Sequence, residues 1–214
     1  MKLYTYFRSS AAYRVRIALN LKGLAYDAVP VHLVKDGGQH RKPDYLALNP
    51  AGLVPALEVD GQVLSQSLAI IEYLDETQPA PPLLPADALG RARVRSIAQA
   101  IACDIHPINN LRVLRYLKRE FGASDAQKDA WYRHWVETGL AAVEAMLAHD
   151  PRTGRFCHGD APGLGDCCLV PQVFNARRFE CRTDDLPTVM RIVEACEALD
   201  AFRAAAPGNQ PDSE

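Results

Sequence analysis

The hydrophobic pattern of this chain changes period partway along, and the change divides it. KLYTYF (Lys2–Phe7) is an apolar, aromatic-rich run suited to a strand. AYRVRIALNLKG follows with Ile17 and Leu21 at helical spacing, and Gly23 supplies a C-terminal stop. YDAVPVHL reads as a second strand, so the chain opens β-α-β, a parallel pair with a right-handed crossover. LVPALEVDGQVL predicts a hairpin turning at Asp60-Gly61, with Pro55 at the entry of its first strand. SLAIIEYLDET (Ser67–Thr77) is an amphipathic helix with Ser67 available as its N-cap.

A stiff linker comes next. QPAPPLLPADALG carries Pro79, Pro81, Pro82 and Pro85, which marks a domain boundary. From Leu89 onward the strand signal vanishes. GRARVRSIAQAIACDIHPINNLRVLRYLKREF is long and helical, interrupted at Pro107. DAQKDAWYRHWVETGLAAVEAMLAHD is a second long helix, with Trp131, Trp135 and Leu140 among its apolar positions. GLGDCCLVPQVFNARRF has a nearly uncharged first half, which predicts a central buried helix. LPTVMRIVEACEALDAFRAAA gives one or two more, and PGNQPDSE reads as loose. The predicted fold is a thioredoxin-like α/β domain over residues 1–80, followed by an all-α helical bundle over 89–214.

Composition narrows the class. The 214 residues are 48% hydrophobic and 23% charged, an ordinary globular balance. A formal net charge of −2 offers no global basic field, which argues against nucleic acid. No apolar stretch approaches the roughly 18 residues of a membrane span, and MKLYTYF is too short for a signal peptide. The expectation is a soluble, cytoplasmic protein. Of the six cysteines, none forms a C-x-x-C pair or has histidines at zinc-finger spacing. They read as small apolar helix residues, with no metal and no disulfide framework.

The first strand-helix junction carries candidate chemistry. A helix N-terminus holds unpaired N–H groups and partial positive charge, which stabilise an anion or a thiolate. Here the junction presents Arg8, Ser9, Ser10, Ala11 and Ala12, with no cysteine, so any thiolate comes from a ligand. Plain N-capping by serine is the alternative. Val54-Pro55, if cis, exposes the Val54 backbone to an extended peptide; the alternative is an ordinary strand-entry proline. Gln66 and Ser67 stand at another helix start, ready for a carboxylate or simply capping. Together these describe a groove for a small, anionic, thiol-bearing peptide: glutathione.

RSSAAYRVRIAL resembles the signature Ser-Ser-Cys-x-Trp/His-Arg-Val-Arg-Ile-Ala-Leu of zeta-class glutathione transferases, the maleylacetoacetate and maleylpyruvate isomerases. LVKDGGQH, ALNPAGLVPALEVDG, QSLAIIEYLDET, LLPADALGRARVR, LVPQVFNARRF and NQPD extend the resemblance over nearly the whole chain. Two positions depart from it. The family cysteine is Ala11, a loss confined to a supporting role, and the usual Ser or Thr cap before Asp166 is Gly163.

The resemblance implies a role for each matching residue. Ser9 bonds the glutathione sulfur, assisted by Ser10 and the following N–H groups. His40 reaches the glycyl end, Val54 holds the cysteinyl backbone, and Gln66 and Ser67 take the γ-glutamyl carboxylate. DIHPINNLR brings His106, Asn110 and Arg112, where His106 either assists the thiolate or is an ordinary helix histidine. Arg8 and Arg178 are implied carboxylate clamps, with Arg177 the solvated neighbour unless the two are exchanged. The implied reaction is cis–trans isomerisation of a maleyl keto acid in aromatic catabolism. Glutathione thiolate adds to the C=C, the bond rotates, and the thiolate leaves. Rivals are a transferase conjugating or dehalogenating small electrophiles such as α-haloacids, and a non-catalytic binding protein of the same fold. The family also implies a homodimer.

Overall fold

Four strands and ten helices follow one another along the chain. They begin with β1 (Lys2–Thr5), α1 (Ser10–Leu21), β2 (Asp27–Pro30) and α2 (Pro43–Leu48). Next are β3 (Ala56–Val59), β4 (Gln62–Ser65) and α3 (Ser67–Thr77). Helices α4 (Ala88–Gln99), α5 (His106–Ile108), α6 (Leu111–Glu120) and α7 (Asp125–Ala148) come after them, then α8 (Leu164–Arg178), α9 (Pro187–Glu197) and α10 (Asp200–Ala205). The computed structural model describes all 214 residues, which pack as two units: 1–83 with 198–214, and 84–197.

The first unit is a thioredoxin-like sheet of order β2-β1-β3-β4. β1 runs parallel to β2, with Leu3 opposite Ala28, and antiparallel to β3, with Leu3 opposite Leu57. Pro30 is tolerated because β2 lies at the sheet edge. The hairpin turns at Asp60 (φ 49°) and Gly61 (φ 74°), both in the left-handed region a two-residue turn needs. α1 stops as the sequence predicts. Gly23 adopts φ 64°, its N–H donates to Asn20, and the Leu24 N–H donates to Leu19, which closes the turn.

Four features of this unit differ from the sequence reading. Residues 198–214, predicted as part of the helical bundle over 89–214, pack with this unit instead. Ser67 does not cap α3: Gln66 holds the cap position, and the Ser67 hydroxyl accepts a bond from Arg14 instead. α2 is an additional helix of six residues with Pro43 in its first turn. The stretch 207–214 is not loose. The buried Gln210 donates to the carbonyls of Ala204 and Ala206, and the Asp212 carboxylate accepts the Phe7 N–H at 3.0 Å.

Within this unit α10 packs on α1, and Arg16 ties them together. Its guanidinium is fully buried and donates to Ala205 O, Thr5 Oγ1 and Phe7 O, each at 3.0 Å. Burial lowers its pKa to about 10, so it remains a cation at neutral pH. A buried charge is tolerated when its donors are satisfied, and these bonds fix the backbone just before Arg8.

The second unit is wholly helical. The long helix predicted to break at Pro107 changes earlier, through a wider π-helical turn at Ala100–Ile105. α7 opens with a capping box in which Ser124 and Gln127 each bond the other's backbone. α8 is the buried central helix that its uncharged first half predicts, with Leu164 to Val173 all buried. Five cysteines are buried; Cys103 is exposed, on the outer side of the π-helical turn, so the small-apolar reading fails for it. No helix is long and apolar enough to cross a membrane.

Candidate active site

Strand register gathers the first-unit candidates. Tyr4 faces Ala56, Ala56 faces Ser65, and Thr5 faces Pro30, so one sheet end carries three chain exits and one entry. The β1 exit leads to Arg8–Ala11, the β2 exit to His32–His40, the β3 entry follows Val54, and the β4 exit reaches Gln66 and Ser67. Residues far apart in sequence therefore meet where the parallel strands end, the usual ligand edge of such sheets.

Ser9 is the N-cap of α1, with φ −72° and ψ 116°, and its Oγ accepts the Ala12 N–H at 3.2 Å. Capping and thiolate binding are compatible. A serine hydroxyl has one donor and two acceptor sites, so accepting from Ala12 leaves its proton available to a ligand. The bond also fixes the oxygen over the positive end of α1. Ser10 is buried as the first helical residue, and Ala11 follows half-buried.

At α3 the sequence reading missed a contributor. Arg14 is buried in α1, and its Nη1 donates to Ser67 Oγ at 3.2 Å. A buried guanidinium beside a helix N-terminus makes that spot favourable for a carboxylate. Gln66 is held at φ 69°, unusual for a side-chain-bearing residue, and is exposed at the head of the helix. The spacing in α1 hinted at nothing polar inside, because Arg14 occupies an apolar face.

Val54 precedes β3, and the Val54–Pro55 bond is cis, as expected; Ala80–Pro81 is cis as well. The backbone leading to Val54 is held from α2. Tyr45 Oη and Asn49 Nδ2 both donate to Leu53 O, at 2.6 and 2.8 Å. Burial pushes the Tyr45 hydroxyl up to about 12. Tyr45 and Val54 belong to a small apolar cluster with Tyr6, Phe7 and Val31. His40 is buried nearby in sequence, in a short turn before α2. The Arg8 guanidinium lies 4.7 Å from the Phe7 ring centre, and its Nη2 donates to Tyr6 Oη at 3.2 Å.

The second unit brings His106, Asn110 and Arg112 to one turn. Asn110 caps α6: its Oδ1 accepts the Arg112 N–H at 3.2 Å. Its Nδ2 therefore faces His106 Nε2 at 3.3 Å, and an amide NH2 only donates. His106 then carries its proton on Nδ1. The Arg112 side chain is exposed. Arg178 ends α8 exposed, stacked 4.9 Å from the Phe179 ring centre. Arg177 pairs with Glu197 at 2.6 Å on the surface.

Residues 8–77 match the model of the glutathione S-transferase N-terminal domain. The chain is 54% identical to a maleylpyruvate isomerase of Ralstonia sp over 213 residues, covering all of both chains. It superposes on the holo structure of a bacterial zeta-class maleylpyruvate isomerase with TM-score 0.97 and 54% identity, again over the full length of both. A maleylacetoacetate isomerase of Methylobacterium extorquens AM1, with malonate and glutathione bound, superposes at TM-score 0.96 with 46% identity and full coverage of both chains. The chain belongs to the zeta class of the glutathione transferases, the family of the maleylpyruvate and maleylacetoacetate isomerases.

Proposed function

We propose that this protein is a glutathione-dependent cis–trans isomerase that converts a maleyl keto acid, maleylpyruvate or maleylacetoacetate, to its fumaryl isomer. The donor set fits glutathione. Ser9 offers an O–H, α1 its first-turn N–H groups, and Arg14 with Ser67 a cationic helix start for a carboxylate. Val54 lies outside the strand ladder, which starts at Ala56. When bound, glutathione supplies the thiolate that adds reversibly to the substrate C=C and so lets the bond rotate.

The protein's own groups do the rest. Ser9 donates to the sulfur and holds it ionised, with Ser10 and Ala11 supporting that end of α1. His40, Val54, Gln66 and Ser67 orient the peptide. Arg8 binds a substrate carboxylate, and its charge favours the negative charge that develops during addition. For Arg178 the support is its match to the family stretch LVPQVFNARRF; for Asn110 and Arg112 it is their position in DIHPINNLR, and for His106 the contact with Asn110. Arg178 takes a substrate carboxylate, and His106, with a tautomer set by Asn110, assists the sulfur. We also assign glutathione binding to the thioredoxin-like domain (1–80), substrate recognition to the helical one (89–197, since 198–214 pack with the first unit), a homodimeric state and a cytoplasmic location.

The observation that carries this reading is Ser9, fixed by the Ala12 N–H with its own proton uncommitted. The test is steady-state kcat/KM on maleylpyruvate and maleylacetoacetate with glutathione supplied. Turnover of either without consumption of glutathione supports isomerisation. Conjugation or dehalogenation of α-haloacids with no maleyl turnover would place the protein among the conjugating transferases instead.

A further inference from the structure

Arg8 is not the only cationic group at the β1 and β2 exits. The Glu214 carboxylate pairs with Lys35, lies 3.3 Å from His32 Nε2, and stands 4.0 Å from Arg8 Nη2. Three donors from two separate loops thus converge on one carboxylate. Lys35 and the carboxylate shift one another, raising the lysine pKa and lowering that of Glu214.

The seat is built. His32 Nδ1 accepts the backbone N–H groups of Val34 and Lys35, at 3.1 and 2.8 Å. A ring nitrogen that accepts carries no proton, so the neutral ring must carry it on Nε2, the atom that faces Glu214. The His32 N–H donates to Gln39 Oε1 at 2.8 Å, which steadies its backbone. The ring also packs edge-on against Tyr6, with centroids 4.9 Å apart. Tyr6 in turn receives the Arg8 bond, so one aromatic residue aims both donors.

Glu214 fills this seat poorly. His32 Nε2 is sealed from solvent yet makes no aligned hydrogen bond, although the Glu214 oxygen is within ion-pair range. Arg8, at 4.0 Å, makes no bidentate contact. The placement of Glu214 is set two residues earlier, where Asp212 accepts the Phe7 N–H at 3.0 Å. A free carboxylate has no such tether and can align with all three donors.

We infer that Arg8, His32 and Lys35 form a carboxylate subsite whose internal occupant is the Glu214 side chain, and that a small dicarboxylate enters by displacing it. This inference rests on Arg8 being a substrate-binding residue. His32 and Lys35 become specificity-determining residues for one end of the substrate, and Glu214 sets a threshold on its affinity.

The test is calorimetric titration of malonate into the glutathione-loaded protein. Lys35 and Glu214 side chains are 62% and 40% exposed, so neither substitution threatens folding. Lys35→Met should raise the malonate Kd about two- to fivefold, and Glu214→Gln should lower it by a similar factor, the scale of an exposed ion pair. In the Lys35→Met background the effect of Glu214→Gln should shrink, because the two residues contact one another. Malonate Kd unchanged in both single variants overturns the subsite. Tighter glutathione binding by Glu214→Gln with malonate unaffected also overturns it, because the displaced group would then serve a glutathione carboxylate. Wild-type turnover of maleyl substrates is measured separately. Turnover with unaltered malonate binding in the variants sinks only the subsite. Altered malonate binding with no turnover leaves the subsite standing and sinks the isomerase reading.

Discussion

The starts of α1 and α8 solve the same problem in opposite ways. Each must satisfy N–H groups that the helix cannot reach. At α1 a half-buried hydroxyl, Ser9, accepts one N–H and keeps its own proton. At α8 the cap position is Gly163, and Asp166 reaches back from the first turn. Its Oδ2 accepts the Gly163 N–H at 2.8 Å and its Oδ1 accepts the Cys157 N–H at 2.9 Å. Asp166 is 1% exposed, and burial raises its pKa even though both bonds favour the anion. The thiols around it are buried too. Desolvation first, and the Asp166 charge second, push the Cys157 thiol well up, so it is no nucleophile. A cap by itself is therefore no sign of function. A cap with a spare proton and an open side is.

The sharpest way to break this contrast is Ser9→Ala. Turnover of the maleyl substrate should fall on the order of 10²-fold or more, the scale of losing one key electrostatic donor. Stability should drop by only about 1 kcal/mol, as for a lost cap. The thiol of bound glutathione, followed by thiolate absorbance, should titrate at higher pH; identical titration in both proteins would reduce Ser9 to a cap.

Asp166→Ala should do the reverse. It strands the buried Cys157 N–H and the part-buried Gly163 N–H, and urea unfolding should show a loss of about 2–4 kcal/mol, with kcat per folded molecule retained. A large fall in kcat at intact stability would mean the α8 start is not purely structural. At the other end of the same helix, Arg178→Met should weaken malonate binding about tenfold or more while leaving glutathione affinity and stability nearly unchanged. Arg177→Met should change neither. Equal malonate affinity in Arg178→Met and wild type moves the clamp to another arginine. The smallest effect belongs to Gly163→Ser, which restores a hydroxyl cap and should raise stability by a few tenths of a kcal/mol. A loss would show that Asp166 already uses all the room there.

Much of this was legible in the chain. Asp60-Gly61 marked the hairpin, and the helix over Ser67–Thr77 was placed to within one residue at its start, because turn chemistry and helical period act locally. What escaped depends on distant partners. Ser67 looks like a cap until Arg14, 53 positions earlier, claims its hydroxyl. The stretch 207–214 has the composition of a loose end, yet the Asp212 carboxylate accepts the N–H of Phe7, 205 positions away. No periodicity announces the return of 198–214 to the first unit. α2 is too short for a period to emerge, and the π-helical turn keeps an apolar pattern indistinguishable from an ordinary helix. Of the candidate site, the residue types at the two helix starts were readable, while the arginine that charges α3 and the tyrosine that aims Arg8 were not.

Gly139 lies in α7, far in sequence from any residue discussed as chemical. A methyl group there would sit 2.3 Å from Ile105 Cγ1, closer than atoms can pack. Ile105 closes the π-helical turn and is the neighbour of His106. The missing side chain thus acts as a spacer of zero thickness that sets where the histidine begins. The conservative exchange of Gly139 for alanine, favourable by helix propensity alone, would push on the one segment whose backbone is already irregular. Variation tolerated elsewhere on α7 would be filtered at this position by a requirement that belongs to a different helix.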